Sequence, residues 1–245
     1  MTGISFFANR HGSGEIRGRQ IAEKLGARLN PKDGYADDLC IWVKKEPPED
    51  YPKHSYLDIV DGVERLPWLK QHQDIGVIAS SLSGKRYLQE VLRRSDIQYL
   101  PQHHCNFSRI RNEVMKPLRF GLVGGNASLP PAEWMIPIKW ANPSTLDEVV
   151  HCYQRMDVQI VWRGMKRQLK NSLKLVNAAS FGIPTIALPE PGYEDMDGFY
   201  RKAYTQTELV GEMLKLQEEG FDQEVLLTRA EDFHIDRIAK RYEQL

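Results

Sequence analysis

Two clusters of residues have types and spacings that can do chemistry. The first lies in the stretch LKNSLKLVNAASFGIPTIALPEPGYEDM, Leu169 to Met196, where Lys170 and Lys174 bracket the start of an amphipathic segment near Ser172. A helix start exposes unpaired amides and a partial positive charge, so it ordinarily favours acidic residues. Lysines there cost a few tenths to about 1 kcal/mol, and a bound phosphate reverses the sign of that term. Arg163 stands just upstream as a further cation. The competing reading is a pair of lysines that snorkel into water. The second cluster is NRHGSGE, where His11 is suited to take a proton or to hydrogen-bond a ligand. Gly12, Ser13 and Gly14 form the loop after it, and Arg17 follows one turn into a helix, where it either reaches a cleft or pairs with a carboxylate. Asp61 is the competing base; it is equally suited to cap a helix beginning near Val63.

Positioning these groups requires strands and helices in alternation, and the chain supplies them. Apolar runs at Ile4 to Ala8, DLCIWVK, SYLDIVDG, IGVIASS and IQYLPQHH read as strands, with helices over IRGRQIAEKLGARL (capped by Ser13), VERLPWLKQH (interrupted near Pro67) and SGKRYLQEVLRR. A polar, basic connector, NFSRIRNEVMK, breaks the pattern. It restarts with LRFGLVGGN, TLDEVVHCYQRM, VQIVWRG, SLKLVNAASFG, IPTIALPE, the capping-box helix TQTELVGEMLKLQEE and a last helix DRIAKRYEQL. Near-continuous apolar strands alternating with helices predict an α/β protein of two Rossmann-like domains, residues 1–110 and 111–245, facing a central cleft. Ligands in such sheets lie beyond the carboxyl ends of the strands. That rule selects His11 to Gly14, Asp61, Ser80 to Ser83 with Ser81, Gly124 with Gly125 and Asn126, Arg163 to Ser172, and the loop Glu190, Gly192, Tyr193 and Glu194.

The Leu169 to Met196 stretch, with its basic residue, its helix and its G-x-P-x-I strand, resembles the donor-binding segment of GT-B glycosyltransferases of the family 4-like (group 1-like) type. IRGRQIAEKLGARL is similar to their first helix, and DRIAKRYEQL resembles the closing helix that packs back on the N-terminal domain. The resemblance implies a metal-independent transfer of sugar from a nucleotide-diphosphate donor, used as co-substrate with no permanently bound cofactor, to a hydroxyl acceptor. It makes residues 1–110 the acceptor side and 111–245 the donor side. Arg163 and Lys174, with Lys170 in reserve, would meet the departing diphosphate. Gly124 and Gly125 would admit the donor close to the backbone, where Asn126 could donate to it. Two glutamates typical of many retaining members are replaced by Leu169 and Asn177. The ribose contact then falls to Asn177, or to Glu190 or Glu194, and the stereochemical course stays open. His104 is a cleft candidate by the same resemblance.

Other features narrow the classes. Basic and acidic side chains balance at 33 each, which removes a global electrostatic case for nucleic acid or anionic membrane. Arg109, Arg111, Lys116 and Arg119 still form a local basic run, so the acceptor is left among a sugar, a lipid-linked glycan, a small molecule and a modified nucleic acid, as in viral enzymes that glycosylate DNA bases. Cys40, Cys105 and Cys152, without a CxxC, fit a reducing cytosol. The sequence shows no signal-peptide pattern and no 18-residue apolar run, and leaves monomer or homodimer open. His103, His104 and Cys105 are adjacent on an extended segment, point to alternate sides and do not close around a metal. Trp42, Trp134 and Trp140 are expected in the core. An epimerase of the same build, or a binding protein without turnover, are the alternatives to a transferase.

Overall fold

The computed structural model describes residues 3–10, 12–163 and 168–245, which form two compact units. Unit 1 comprises Met1–His103, Arg167–Asn171 and Ile235–Leu245, and unit 2 comprises His104–Lys166 and Ser172–His234. In chain order the first elements are β1 (Ile4–Ala8), α1 (Ile21–Leu25), β2 (Arg28–Leu29), β3 (Leu39–Val43), β4 (Ser55–Asp58), α2 (Leu66–Gln71), β5 (Gly76–Ala79), α3 (Leu82–Leu92) and β6 (Gln98–Tyr99). There follow β7 (Phe120–Val123), β8 (Lys139–Ala141), α4 (Leu146–Gln154), β9 (Val158–Val161), α5 (Leu173–Ser180), β10 (Thr185–Ala187), β11 (Arg201–Lys202), α6 (Gln206–Glu219), α7 (Gln223–Ala230) and α8 (Ile235–Tyr242).

Unit 1 is built on a six-stranded sheet in the order β2-β1-β3-β4-β5-β6, and unit 2 on a five-stranded sheet in the order β11-β10-β9-β7-β8. All the pairings are parallel. Both sheets therefore have one doubly wound topology, with the chain reversing between β1 and β3 in unit 1 and between β7 and β9 in unit 2. Such reversals open a crevice at the carboxyl ends of the two flanking strands. Full burial explains the apolar runs. Phe7, Cys40, Trp42, Leu57 and Val77 share one core in unit 1, while Val158, Ile160, Ile186 and Leu209 share another in unit 2.

Several local outcomes differ from the sequence reading, each for a physical reason. Ser13 lies in helical conformation and makes no side-chain cap, because a wide helical turn over Gly14–Gln20 leads directly into α1. Pro67 sits in the first turn of α2, where its missing N–H costs nothing, so it starts that helix rather than interrupting it. β6 stops after two residues; its last ladder bond runs from Leu100 N to Ala79 O at 3.0 Å, and Pro101 has no donor with which to continue. The helix-G-x-P motif has a clear cause. Gly182 ends α5 at φ 72°, its N–H and that of Ile183 return to Ala179 O and Ala178 O, and the chain reverses directly into β10.

Candidate functional site

In unit 2 the chemistry converges beyond β7 and β9. Gly124 ends β7 at φ 116°, a conformation open to glycine alone without strain. Its N–H donates to Ala141 O at 2.8 Å, and its carbonyl accepts from Trp140 Nε1 at 2.7 Å, so the turn is held from both sides. Trp140 is thus 48% exposed at this turn instead of lying in the core, whereas Trp42 is buried as expected. A Cβ on Gly125 would meet open space, and Asn126 is exposed at the head of a short 3-10 turn.

Lys174 comes to the same point from the first turn of α5, where its Nζ donates to Val123 O at 2.7 Å. A Cβ on Gly124 would run into that ammonium group. No acidic residue occupies the first turn of α5. The helix is fixed on the sheet by the buried Gln159 of β9, whose amide donates to Lys174 O at 2.8 Å and to Thr185 Oγ1 at 3.1 Å while its oxygen accepts from the Tyr153 hydroxyl at 2.9 Å. Nothing in the sequence marked Gln159; a glutamine inside an apolar strand was the available signal.

Arg163, just after β9, forms a two-bond pair with the buried Glu190 beyond β10, with Nε to Oε1 at 2.7 Å. Tyr193 donates its hydroxyl to the same Oε1 at 3.2 Å, and burial, followed by the Glu190 charge, pushes its phenol upward. Gly192 is buried beside it and Glu194 is exposed. Asn177, the uncharged substitute for a ribose contact, is 8% exposed and its oxygen accepts from Cys105 N at 3.0 Å. His104 belongs to unit 2, is 2% exposed, accepts from Asn106 N at 3.2 Å and packs edge-on against His234. His103 belongs to unit 1, where its Nε2 lies 2.9 Å from Ile16 O. The basic run after it is met largely by carboxylates of unit 2: Arg109 by Glu231, Arg111 by Glu224 and Arg119 by Asp157.

The corresponding region of unit 1 leads into a buried charged network. His11 lies outside the described residues. Gly12 has φ 55°, and Gly14 is packed so closely on Asn9 that a Cβ would clash with its carbonyl. Arg17 is 1% exposed and pairs with Asp58 at 2.7 Å, which settles the choice between a cleft and a carboxylate. Tyr242 of α8 donates to the same Asp58 oxygen at 2.9 Å. Among the described residues Arg17 Nη1 and Nη2 and Asp58 Oδ1 have no hydrogen-bond partner. Ser81 caps α3 by accepting from Gly84 N at 3.1 Å.

Asp61 does not cap a helix through its side chain; it joins two lysines. Lys44 donates to it at 2.6 Å, and Lys170, expected among the donor residues, donates to its other oxygen within unit 1. Desolvation pushes the Asp61 carboxyl up, but the hydrogen bonds from Lys170 and Lys44 outweigh it and hold the pKa down at about 2. Lys44 was not legible as a site residue, since it opens the Pro-rich stretch KKEPPEDYPKH, residues 44–54, which reads as a surface loop.

No family model matches the chain, and no curated protein matches it in sequence. Its structure has close counterparts. A sucrose-phosphate synthase from Thermosynechococcus elongatus superposes with a TM-score of 0.73 at 11% identity, over 100% of this chain and 98% of that one. The fold is that of GT-B glycosyltransferases. A glycosyltransferase from Rickettsia africae gives 0.67 at 9% identity over 99% and 97%, and HepE from Anabaena, solved with UDP-glucose, gives 0.65 at 8% over 100% and 99%. Among the described residues no three metal-ligating side chains cluster, and no helix is long and apolar enough to cross a membrane.

Proposed function

We propose that the chain is a glycosyltransferase that moves a sugar from a nucleoside-diphosphate donor, a UDP-sugar in the first instance, to a hydroxyl acceptor without a metal ion. The observation that carries this reading is the placement of Lys174 and the Gly124–Gly125 turn together at the unit 2 switch point. Transfer leaves a diphosphate with negative charge that must be met as it develops. The Lys174 ammonium and the amides that begin α5 would meet it, while the bare Gly125 backbone lets a nucleotide approach. Unit 2 is the donor side in this account and unit 1 the acceptor side. The fold shared with HepE, solved with UDP-glucose, supports the choice of uridine. Three free cysteines agree with a reducing compartment, which we infer to be the cytosol.

One observation favours binding without turnover: Asp61, with a carboxyl held down at about 2, is poorly matched to removing a proton near neutral pH. Two measurements separate the readings. Thermal shifts with UDP-, GDP-, ADP- and TDP-sugars report donor binding, since a ligand at 100 times its Kd adds about 2.7 kcal/mol of stability. Donor hydrolysis or product formation with an acceptor library then reports turnover. A shift with a UDP-sugar together with product supports the transferase; a shift without either product or hydrolysis supports a binding protein; no shift with any nucleotide sugar removes both.

A further inference from the structure

Lys44 directly follows β3, a strand at the unit 1 switch point, and Asp61 lies shortly after β4, its neighbour in the sheet. Two ammonium groups converge on this single carboxylate, one at each oxygen. The set carries one surplus positive charge. None of its members is sealed from solvent: the side chains of Lys44, Asp61 and Lys170 are 34%, 19% and 24% exposed. One lysine suffices to neutralise a carboxylate, and ordering a second long side chain adds entropy cost and like-charge repulsion. The backbone presenting them is also held in the left-handed region, with Lys44 at φ 51° and Val60, a β-branched residue, at φ 52°. Beside the cluster Asn171 donates to Ser80 Oγ at 3.2 Å and to Gln102 Oε1 at 2.7 Å, a neutral polar wall.

We infer that Lys44 and Lys170 form an anion subsite in unit 1 that takes a phosphate monoester, carried by the hydroxyl acceptor. Each ammonium has three donors, so engaging Asp61 leaves others for a ligand. Lysine serves phosphate as a compact point charge, whereas the planar fork of arginine is the better match for a carboxylate. Asp61 holds the two lysines in place between ligands and competes with the phosphate for them. Only the word acceptor rests on the transferase reading; the anion site stands on unit 1 residues.

The test is calorimetric titration of the full chain with inorganic phosphate, glucose 6-phosphate, glucose and a lysophosphatidate below its micelle concentration, with UDP as a separate control. Glucose 6-phosphate is expected to bind and glucose not. Lys44→Ala and Lys170→Ala are each expected to weaken it about tenfold or more, the loss typical of a hydrogen bond to a charged group. Asp61→Asn is expected to strengthen it several-fold, a sign that a merely structural ion network would not produce. Tighter binding of the lysophosphatidate than of glucose 6-phosphate assigns the phosphate to a lipid source; the reverse assigns it to a soluble ester. Melting curves confirm that each variant is folded, and Lys44→Gln stands in for any alanine variant that is not. Absence of phosphate-ester binding, or weaker binding by folded Asp61→Asn, overturns the subsite. If UDP still binds in that case, the transferase reading survives it; if UDP alone fails to bind, the donor reading falls and the anion site stands.

Discussion

The two sheets share a strand order, yet the segments that follow their first strands are built differently. In unit 1 the chain after β1 is tight at Gly14, which is pressed on the Asn9 backbone, and Arg17, Asp58 and Tyr242 form a buried charged network. In unit 2 the region after β7 is a bare glycine turn, pinned by Trp140 and Ala141, with a lysine ammonium at its edge and open space over Gly125. One topology thus serves two ends. The buried Arg17–Asp58–Tyr242 network commits the segment after β1 to holding its own helices; exposed backbone and a placed cation suit the turn after β7 to an anionic ligand. Fold alone would not separate them, since the difference lies in which side chains fill the crevice.

The largest effect that could break this contrast is on stability. Asp58→Ala leaves Arg17 buried without its counter-charge and should cost about 3–5 kcal/mol in urea unfolding; a loss under about 1 kcal/mol would show that the network is not structural. Next comes Gly124→Ala, which places a side chain at φ 116° and displaces the Lys174 ammonium. It should cost about 1–3 kcal/mol and remove donor binding, whereas Gly125→Ala should leave stability within about 0.5 kcal/mol. A third effect concerns pH. The folded-state carboxyl of Asp61 lies at about 2, below its ordinary 3.8, so its contribution is fully present above the unfolded value and is lost as pH falls from about 4 through about 2. Acid titration of stability should show about 1–2 kcal/mol in that window for the wild type and a smaller slope for Asp61→Asn. The smallest effect is Lys215→Ala on α6, whose 56% exposed side chain pairs with Glu212. It should change neither donor binding nor stability by more than about 0.5 kcal/mol.

Much of the architecture was legible because buried parallel strands and amphipathic helices have periods that single sequences display. Ile4 to Ala8 and Val158 to Val161 are apolar but for Ser5 and Gln159 and are strands as read; Thr205 with Glu208 forms the capping box their spacing announced. Three of the four edge strands were not legible. β2, β8 and β11 are two or three residues long and partly exposed, too short for a period to appear. The helix α7 carries a cap at Asp222 but a weak apolar stripe, and it went unread. At the site, the residue types and their strand-end positions could be read, but their partners could not. That Arg163 would face Glu190 and Lys170 would face Asp61 depends on contacts across 27 and 109 residues of chain. Arg17 shows the limit most clearly, because an arginine one turn into a first helix reads equally as reaching a cleft or pairing with a carboxylate, and only the buried Asp58 and Tyr242 decide for the second.

The central claim is that a nucleoside diphosphate is held in unit 2 by Lys174 and the Gly124–Gly125 turn. Calorimetric titration of UDP into the wild-type protein and into folded Lys174→Ala tests it directly. The account predicts saturable binding to the wild type and a loss of at least about tenfold in the variant, the effect of one charge-assisted hydrogen bond. Equal affinity of the two proteins would contradict it.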